Sequence, residues 1–159
     1  MRKLIVLLLL LSVLFISSGQ TYEQQSIIPT LQKWLPNKPF ESLLMKLEFP
    51  YWGIKVSIEE RGYYYFIEFL IRKSAHFFIF AFIATAVYAV LPKLRFRLQI
   101  AAVITLVLAF LDEFHQYLTG GRTPSLQDVF LDMLGALTAL VVIYIVSLIT
   151  AHKSSSKKM

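Results

Sequence analysis

The chain has no cysteine and few charged residues, and both absences limit the classes of protein to which it can belong. Without cysteine there is neither a disulfide nor thiol chemistry. Only 16% of the 159 residues are charged, whereas 57% are hydrophobic. The mean hydropathy is +0.62. A soluble globular domain of this size would be more polar, so the composition predicts an integral membrane protein.

The sequence also lacks the short motifs of common hydrolases. It contains no His-Glu-x-x-His segment and no Gly-x-Ser-x-Gly nucleophile elbow. The residues that could offer mixed nitrogen and oxygen ligands to a metal are His76, His115, Asp112 and Glu113. Their spacing is not that of a known zinc helix, and we predict no metal and no cofactor.

Four apolar runs divide the chain, at residues 4–16, 77–91, 98–111 and 129–150. Only the last reaches the roughly 20 residues that cross a hydrocarbon core. The second is long enough if its helix begins near Phe66, the third if it continues through Asp112 to Tyr117, and the first if it extends to about Gly19. We therefore predict an all-α bundle of four transmembrane helices.

This four-helix membrane domain should cover residues 1–152, followed by a short basic cytoplasmic tail at 153–159. Between the first and second helices lies a polar, proline-containing segment, residues 20–72. We expect it to form short interfacial helices on the extracytoplasmic side. Its aromatic residues Trp34, Trp52 and Tyr63 to Tyr65 are of the kind that lie at the lipid headgroups.

The distribution of charge predicts the orientation. Eight basic residues stand in segments without any acid, namely Arg2, Lys3, Lys93, Arg95, Arg97, Lys153, Lys157 and Lys158. By the positive-inside rule these segments are cytoplasmic, so both termini lie inside. The other eight basic residues and the ten acids then lie outside or near the outer interface. The positive net charge thus reflects topology, and we predict no binding to nucleic acid.

The first apolar run has a second interpretation. A basic start, an apolar core and the small residues Ser17-Ser18-Gly19 also resemble a cleavable secretory signal. Cleavage would leave the other helices in the same orientation, but the mature N-terminus would begin outside.

Polar residues at helical spacing lie at the predicted outer ends of the last three spans. The predicted polar site consists of Lys73, His76, Asp112, Glu113, Gln116, Arg122, Asp128 and Asp132. Lys73 and His76 are three residues apart, Asp112 shares a helical face with His115 and Gln116, and Asp128 and Asp132 are four apart. Arg122 lies in a turn with Gly120, Gly121 and Pro124, and Ser125 is placed to cap the fourth helix.

Two interpretations of this cluster are open. One central charge in a membrane costs roughly 2.5 to 3.5 kcal/mol, so these groups must pair or meet water. A paired network could serve only to lock the helices together. The number and variety of groups at one level instead favour a binding or catalytic pocket that is open to the outside.

At these residues the chain resembles the VanZ-like membrane proteins. The resemblance rests on Arg72-Lys73-Ser74-Ala75-His76-Phe77, Asp112-Glu113-x-x-Gln116, Gly121-Arg122 and Asp128-x-x-x-Asp132-x-x-Gly135. With the first helix ending in Ser17-Ser18 before Gln20, it covers nearly the whole chain. Two positions depart from the family: Gly120 stands where proline is frequent, and Asp132 stands where asparagine is common.

The resemblance implies a multi-pass cell-envelope protein with a role in low-level resistance to teicoplanin, a lipid-bearing glycopeptide antibiotic. Two hypotheses follow. As a binder of a lipoglycopeptide or a lipid-linked cell-wall precursor, the protein would use Arg122 and Lys73 for anionic groups. As a membrane-embedded hydrolase or transferase, it would use Glu113 or Asp112 as general base, His76 as acid or partner, and Arg122 as an oxyanion clamp.

Overall fold

The computed structural model describes residues 1–51, 53–120 and 125–156. Predictions about Trp52, about Gly121, Arg122 and Pro124, and about residues 157–159 lie outside this part of the chain, whereas Gly120, expected in the turn, is the last residue of α6. The elements in chain order are α1 (Arg2–Ser18), α2 (Ile28–Trp34), α3 (Glu41–Leu44), β1 (Phe49–Tyr51), β2 (Ile54–Val56), α4 (Ile58–Arg61), α5 (Tyr63–Val90), α6 (Arg97–Gly120) and α7 (Leu126–Ser156).

Three of these helices are long and apolar enough to cross a membrane, at Tyr63–Val90, Arg97–Thr119 and Leu126–Lys153. As predicted, α6 continues past Asp112, and α5 begins about one turn before Phe66. The protein is therefore helical with at least three candidate spans. Helix α1 has 17 residues, which is about 25 Å at about 1.5 Å per residue against a hydrocarbon core of about 30 Å. The fourth span and the orientation stay predictions.

The long helices pack as one bundle in which α5 contacts α1, α6 and α7. The buried residues of this core are Leu14, Phe80, Ile83, Ala84, Val87, Ala101, Ala109, Val129, Ala136 and Leu140. Several are alanines, which allow helix backbones to approach closely. Apolar side chains such as Phe82, Val107 and Val141 point outward with more than half of their surface uncovered. That arrangement suits lipid as the surrounding solvent.

Helices α5 and α7 are in backbone contact at Gly135. A Cβ atom built on this glycine would lie only 2.0 Å from the carbonyl oxygen of Phe77. No side chain fits there, so glycine is required for the two backbones to touch. The contact sets the register in which the first turns of α7 face the middle of α5.

The segment between α1 and α5 forms short helices, as predicted. It also forms a β-hairpin, which was not predicted. Strands β1 and β2 pair antiparallel, with Phe49 opposite Val56 and Tyr51 opposite Ile54. A second small core, of Val56, Ile58, Tyr63 and Phe66, joins this segment to the start of α5. The segment is therefore packed onto the bundle.

The aromatic residues expected at the headgroups differ in their exposure. Trp34 and Tyr65 are exposed, but Tyr63 has only 4% of its surface accessible. Its hydroxyl donates to the carbonyl of Pro39 at 2.8 Å. For Tyr63 the prediction of a headgroup-level side chain is wrong, because the residue packs under the folded segment.

Candidate polar site

The last turns of α6, the first turns of α7 and the middle of α5 bring polar side chains to one level of the bundle. The predicted residues that meet there are Lys73, His76, Asp112, Glu113, Gln116, Asp128 and Asp132. Helical spacing explains why each helix offers more than one of them, since residues three or four apart share a face. The eighth, Arg122, lies outside the described residues.

At the rim of the site, Lys73 forms an ion pair with Asp128, joining α5 to α7. The hydroxyl of Tyr51, from β1, donates to the same carboxylate oxygen. The Lys73 ammonium also lies 4.7 Å from the centre of the Tyr51 ring, a cation–π distance. The pKa of Tyr51 is raised above its ordinary value of 10.0, mainly by burial and, to a smaller extent, by the hydrogen bond to Asp128. Tyr51 therefore stays a donor at neutral pH.

The start of α7 is tied to α6 through Glu113. The backbone N–H of Ser125 donates to Glu113 Oε2 at 2.6 Å. The hydroxyl of Ser125 accepts from the backbone N–H of Asp128 at 2.9 Å, which confirms the predicted helix cap. Glu113 Oε1 is buried and has no hydrogen-bond partner within the described ranges.

Deeper in the bundle, His76 lies between two aspartates. Its Nδ1 is 3.4 Å from Asp132 Oδ1 and 4.0 Å from Asp112 Oδ2. Asp112 accepts a hydrogen bond of 2.5 Å from the Ser18 hydroxyl and one of 2.8 Å from Gln116 Nε2. Asp132 has 0% of its surface accessible. Its two oxygens make no hydrogen bond to any residue that the structure describes.

The residues able to hold a metal differ from those considered in the sequence. The described residues gather His76, Asp112 and Asp132, with one ligand atom of each within 4.8 Å of the others. His115 is elsewhere, because its ring stacks on Phe15 with the two centres 4.1 Å apart. Helical spacing predicted His115 on the side of Asp112, but no pattern in the sequence indicated its aromatic partner on α1.

A cavity of about 230 Å³ lies beside these groups. The charged and polar residues in its wall include Arg61, Arg72, Lys73, His76, Glu113, Gln116 and Asp128. Phe69 and Ala75 supply apolar surface. The cavity is large enough for a small polar group and presents both cations and carboxylates to it.

A second hydrogen-bonded network, which the sequence analysis missed, lies beside the cavity and contributes Tyr22 and Arg72 to its wall. The fully buried Glu68 accepts from Arg72 Nη2 at 3.1 Å, from the Tyr22 hydroxyl at 3.0 Å and from the backbone N–H of Ile27 at 2.7 Å. Burial and the hydrogen bond to Glu68 raise the pKa of Tyr22. The four-residue spacing of Glu68 and Arg72 was a signal for this pair, whereas Tyr22 was not predictable from spacing.

Three apolar helices of spanning length, with ionisable side chains collected where they meet, define a helical membrane protein that carries a polar site. Residues 3–147 match the family model VanZ/LLP1. The chain belongs to this family, which confirms the resemblance seen in the sequence motifs. Among curated proteins and solved structures, none matches the chain significantly.

Proposed function

We propose that this protein is a cell-envelope factor whose cavity binds the anionic head of a lipid-linked cell-wall component or of a teicoplanin-type lipoglycopeptide. By this binding it would give low-level resistance to such antibiotics. The observation that carries the proposal is the cavity itself, because three cationic side chains line it, those of Arg61, Arg72 and Lys73. Arginine and lysine in such a place suit phosphate and carboxylate groups.

Arg61 is the cation most available to a ligand. Its guanidinium lies 5.0 Å from the centre of the Phe69 ring, and in the described part of the chain it has no carboxylate at ion-pair distance. Arg72 is paired with Glu68, and Lys73 is paired with Asp128. A ligand anion would therefore bind Arg61 first and compete with Asp128 for Lys73.

The proposal includes four spans with both termini in the cytoplasm, so that the cavity faces outward. Helix α1 packs against α5 and α6 and leaves apolar side chains such as Leu9, Phe15 and Ile16 uncovered. Arg2 and Lys3 can reach the headgroups from a short span. The bond from Ser18 to Asp112 joins the end of α1 to the site, which supports a retained helix over a cleaved signal.

The test is lipid binding by the full chain in nanodiscs. We expect undecaprenyl diphosphate to bind and undecaprenol, which lacks the anionic head, to bind at least about 10-fold more weakly, as losing charge-assisted hydrogen bonds implies. Arg61→Gln should weaken diphosphate binding by a similar factor. Lys55→Gln is the matched control, because Lys55 is a basic residue of the same segment that pairs with Glu48 away from the cavity. Equal binding of the two lipids would refute the proposal.

The resistance role has its own test in a susceptible Gram-positive host. Cells expressing the wild type should tolerate more teicoplanin than cells expressing Arg61→Gln at equal membrane abundance. No protection by abundant wild-type protein would remove the resistance role and leave the lipid-binding result to stand alone.

One observation favours an enzyme as the second candidate. Glu113 lines the cavity. Its Oε1 atom is buried and has no hydrogen-bond partner among the described residues. Such a carboxylate could act as general base on a lipid-linked substrate, as predicted for a hydrolase or transferase. In that case Glu113→Gln would abolish turnover of the bound lipid while leaving its binding within about twofold, whereas a pure binder would turn over nothing.

A further inference from the structure

We propose that His76, Asp112 and Asp132 form a binding site for one divalent transition-metal ion of the zinc or manganese type. The site lies where α5, α6 and α7 meet, and it does not depend on the function proposed above. Imidazole nitrogen together with carboxylate oxygen is a ligand set that such ions accept.

The distances fit a shared ion. The three ligand atoms lie within 4.8 Å of one another, and His76 Nδ1 is 3.4 Å from Asp132 and 4.0 Å from Asp112. Metal bonds of about 2.1 Å in a tetrahedral arrangement place neighbouring ligand atoms about 3.4 Å apart. Small side-chain movements would therefore bring all three atoms to bonding distance.

Burial and charge point to the same conclusion. Asp132 is fully buried and its two oxygens accept no hydrogen bond from any described residue. Within the described ranges, neither Asp112 nor Asp132 pairs with a lysine or arginine. Two buried carboxylates beside one imidazole carry an excess of negative charge, which is costly in this environment. A divalent cation would balance both.

The surroundings resemble a supporting shell. Asp112 is held by Ser18 and Gln116, as the outer partners of a ligating carboxylate usually hold it. His76 also lines the cavity. A metal bound here would thus have one side facing the space in which a polar group or water can complete its coordination.

The test uses the full chain in detergent, stripped with EDTA and titrated with Co²⁺ as a spectroscopic probe. We expect one Co²⁺ per chain, visible absorption bands of a low-coordinate site, and a rise in the unfolding temperature. His76→Gln and Asp132→Asn should each weaken binding by at least about 100-fold, since loss of an outer partner alone costs about 10- to 100-fold. His115→Gln is the control, a histidine outside the trio, and should bind as the wild type does.

Each other outcome contradicts the site. If wild-type protein binds no Co²⁺, or if His76→Gln binds it as tightly as the wild type, the three residues do not form a metal site. If Asp132→Asn does not fold, His76→Gln decides alone, because that side chain is partly exposed and its loss is easier to accommodate. Elemental analysis of the titrated wild type checks the stoichiometry independently of the spectra.

Discussion

Asp128 and Asp132 stand one helical turn apart on α7, yet their surroundings differ. Asp128 has about 20% of its side chain accessible and pairs with Lys73, while Tyr51 donates to it. Asp132 is fully buried, and His76 Nδ1 lies 3.4 Å from its Oδ1. The first carboxylate is neutralised by the protein. The second has no lysine or arginine partner among the described residues, so depth along one helix separates an acid paired with a cation from one that lacks such a pair.

The largest expected effect comes from breaking the contact that places both aspartates. Gly135→Ala puts a Cβ atom 2.0 Å from the Phe77 carbonyl oxygen, so α5 and α7 must separate. Overpacking usually costs about 1–3 kcal/mol, and because the clash is with backbone we expect about 3 kcal/mol or more. Thermal unfolding in detergent measures this loss. Thr138→Ala, an exposed position on the same helix, should unfold like the wild type, and an unchanged Gly135→Ala protein would show that the helices are not in this register.

The second prediction compares the stability of two variants, Asp128→Asn and Asp132→Asn. Asp128→Asn breaks the ion pair with Lys73, and we expect a loss of about 1–2 kcal/mol, between the values for exposed and buried pairs. Asp132→Asn removes a buried charge that has no lysine or arginine partner in the described part of the chain. Metal-free Asp132→Asn should therefore be at least as stable as the wild type. Chemical unfolding of both variants checks the signs, and equal losses would mean that the aspartates are equivalent.

The smallest effect is at Tyr51. Tyr51→Phe removes one hydrogen bond to Asp128, and we expect about 1 kcal/mol of destabilisation at neutral pH. Because the folded protein raises the pKa of Tyr51, its contribution is present below pH 10 and decreases as the pH rises through the folded-state value. Stability measured between pH 8 and pH 11 should fall more steeply for the wild type than for Tyr51→Phe. Parallel curves would indicate that the hydroxyl does not bind Asp128.

Much of the fold and site followed from local patterns. Hydropathy predicted the three long helices, and spacing of three or four residues predicted that Lys73, His76, Asp112, Gln116, Asp128 and Asp132 would meet. The cap at Ser125 also followed from its position before an acid and an apolar run. These features depend on residues near each other in sequence, which is why one sequence was enough.

The missed features depend on contacts between distant parts of the chain. Tyr51 bonds Asp128 across 77 residues, Tyr22 bonds Glu68 across 46, and Ser18 bonds Asp112 across 94. No periodicity encodes such partners. The hairpin was missed for a related reason: its strands have only three residues each, too few for an alternating pattern, and they pack on the start of α5.

The close contact at Gly135 also limits how the molecule can move. With no side chain between the two backbones, α5 and α7 have no gap into which they could close, and the interlocked core resists sliding. The segment between α1 and α5 is different, because it meets the bundle through a small apolar core and through the side-chain hydrogen bonds of Tyr22 and Tyr51. Any adjustment of the cavity to a bound group should therefore fall on this segment and not on the spacing of α5 and α7.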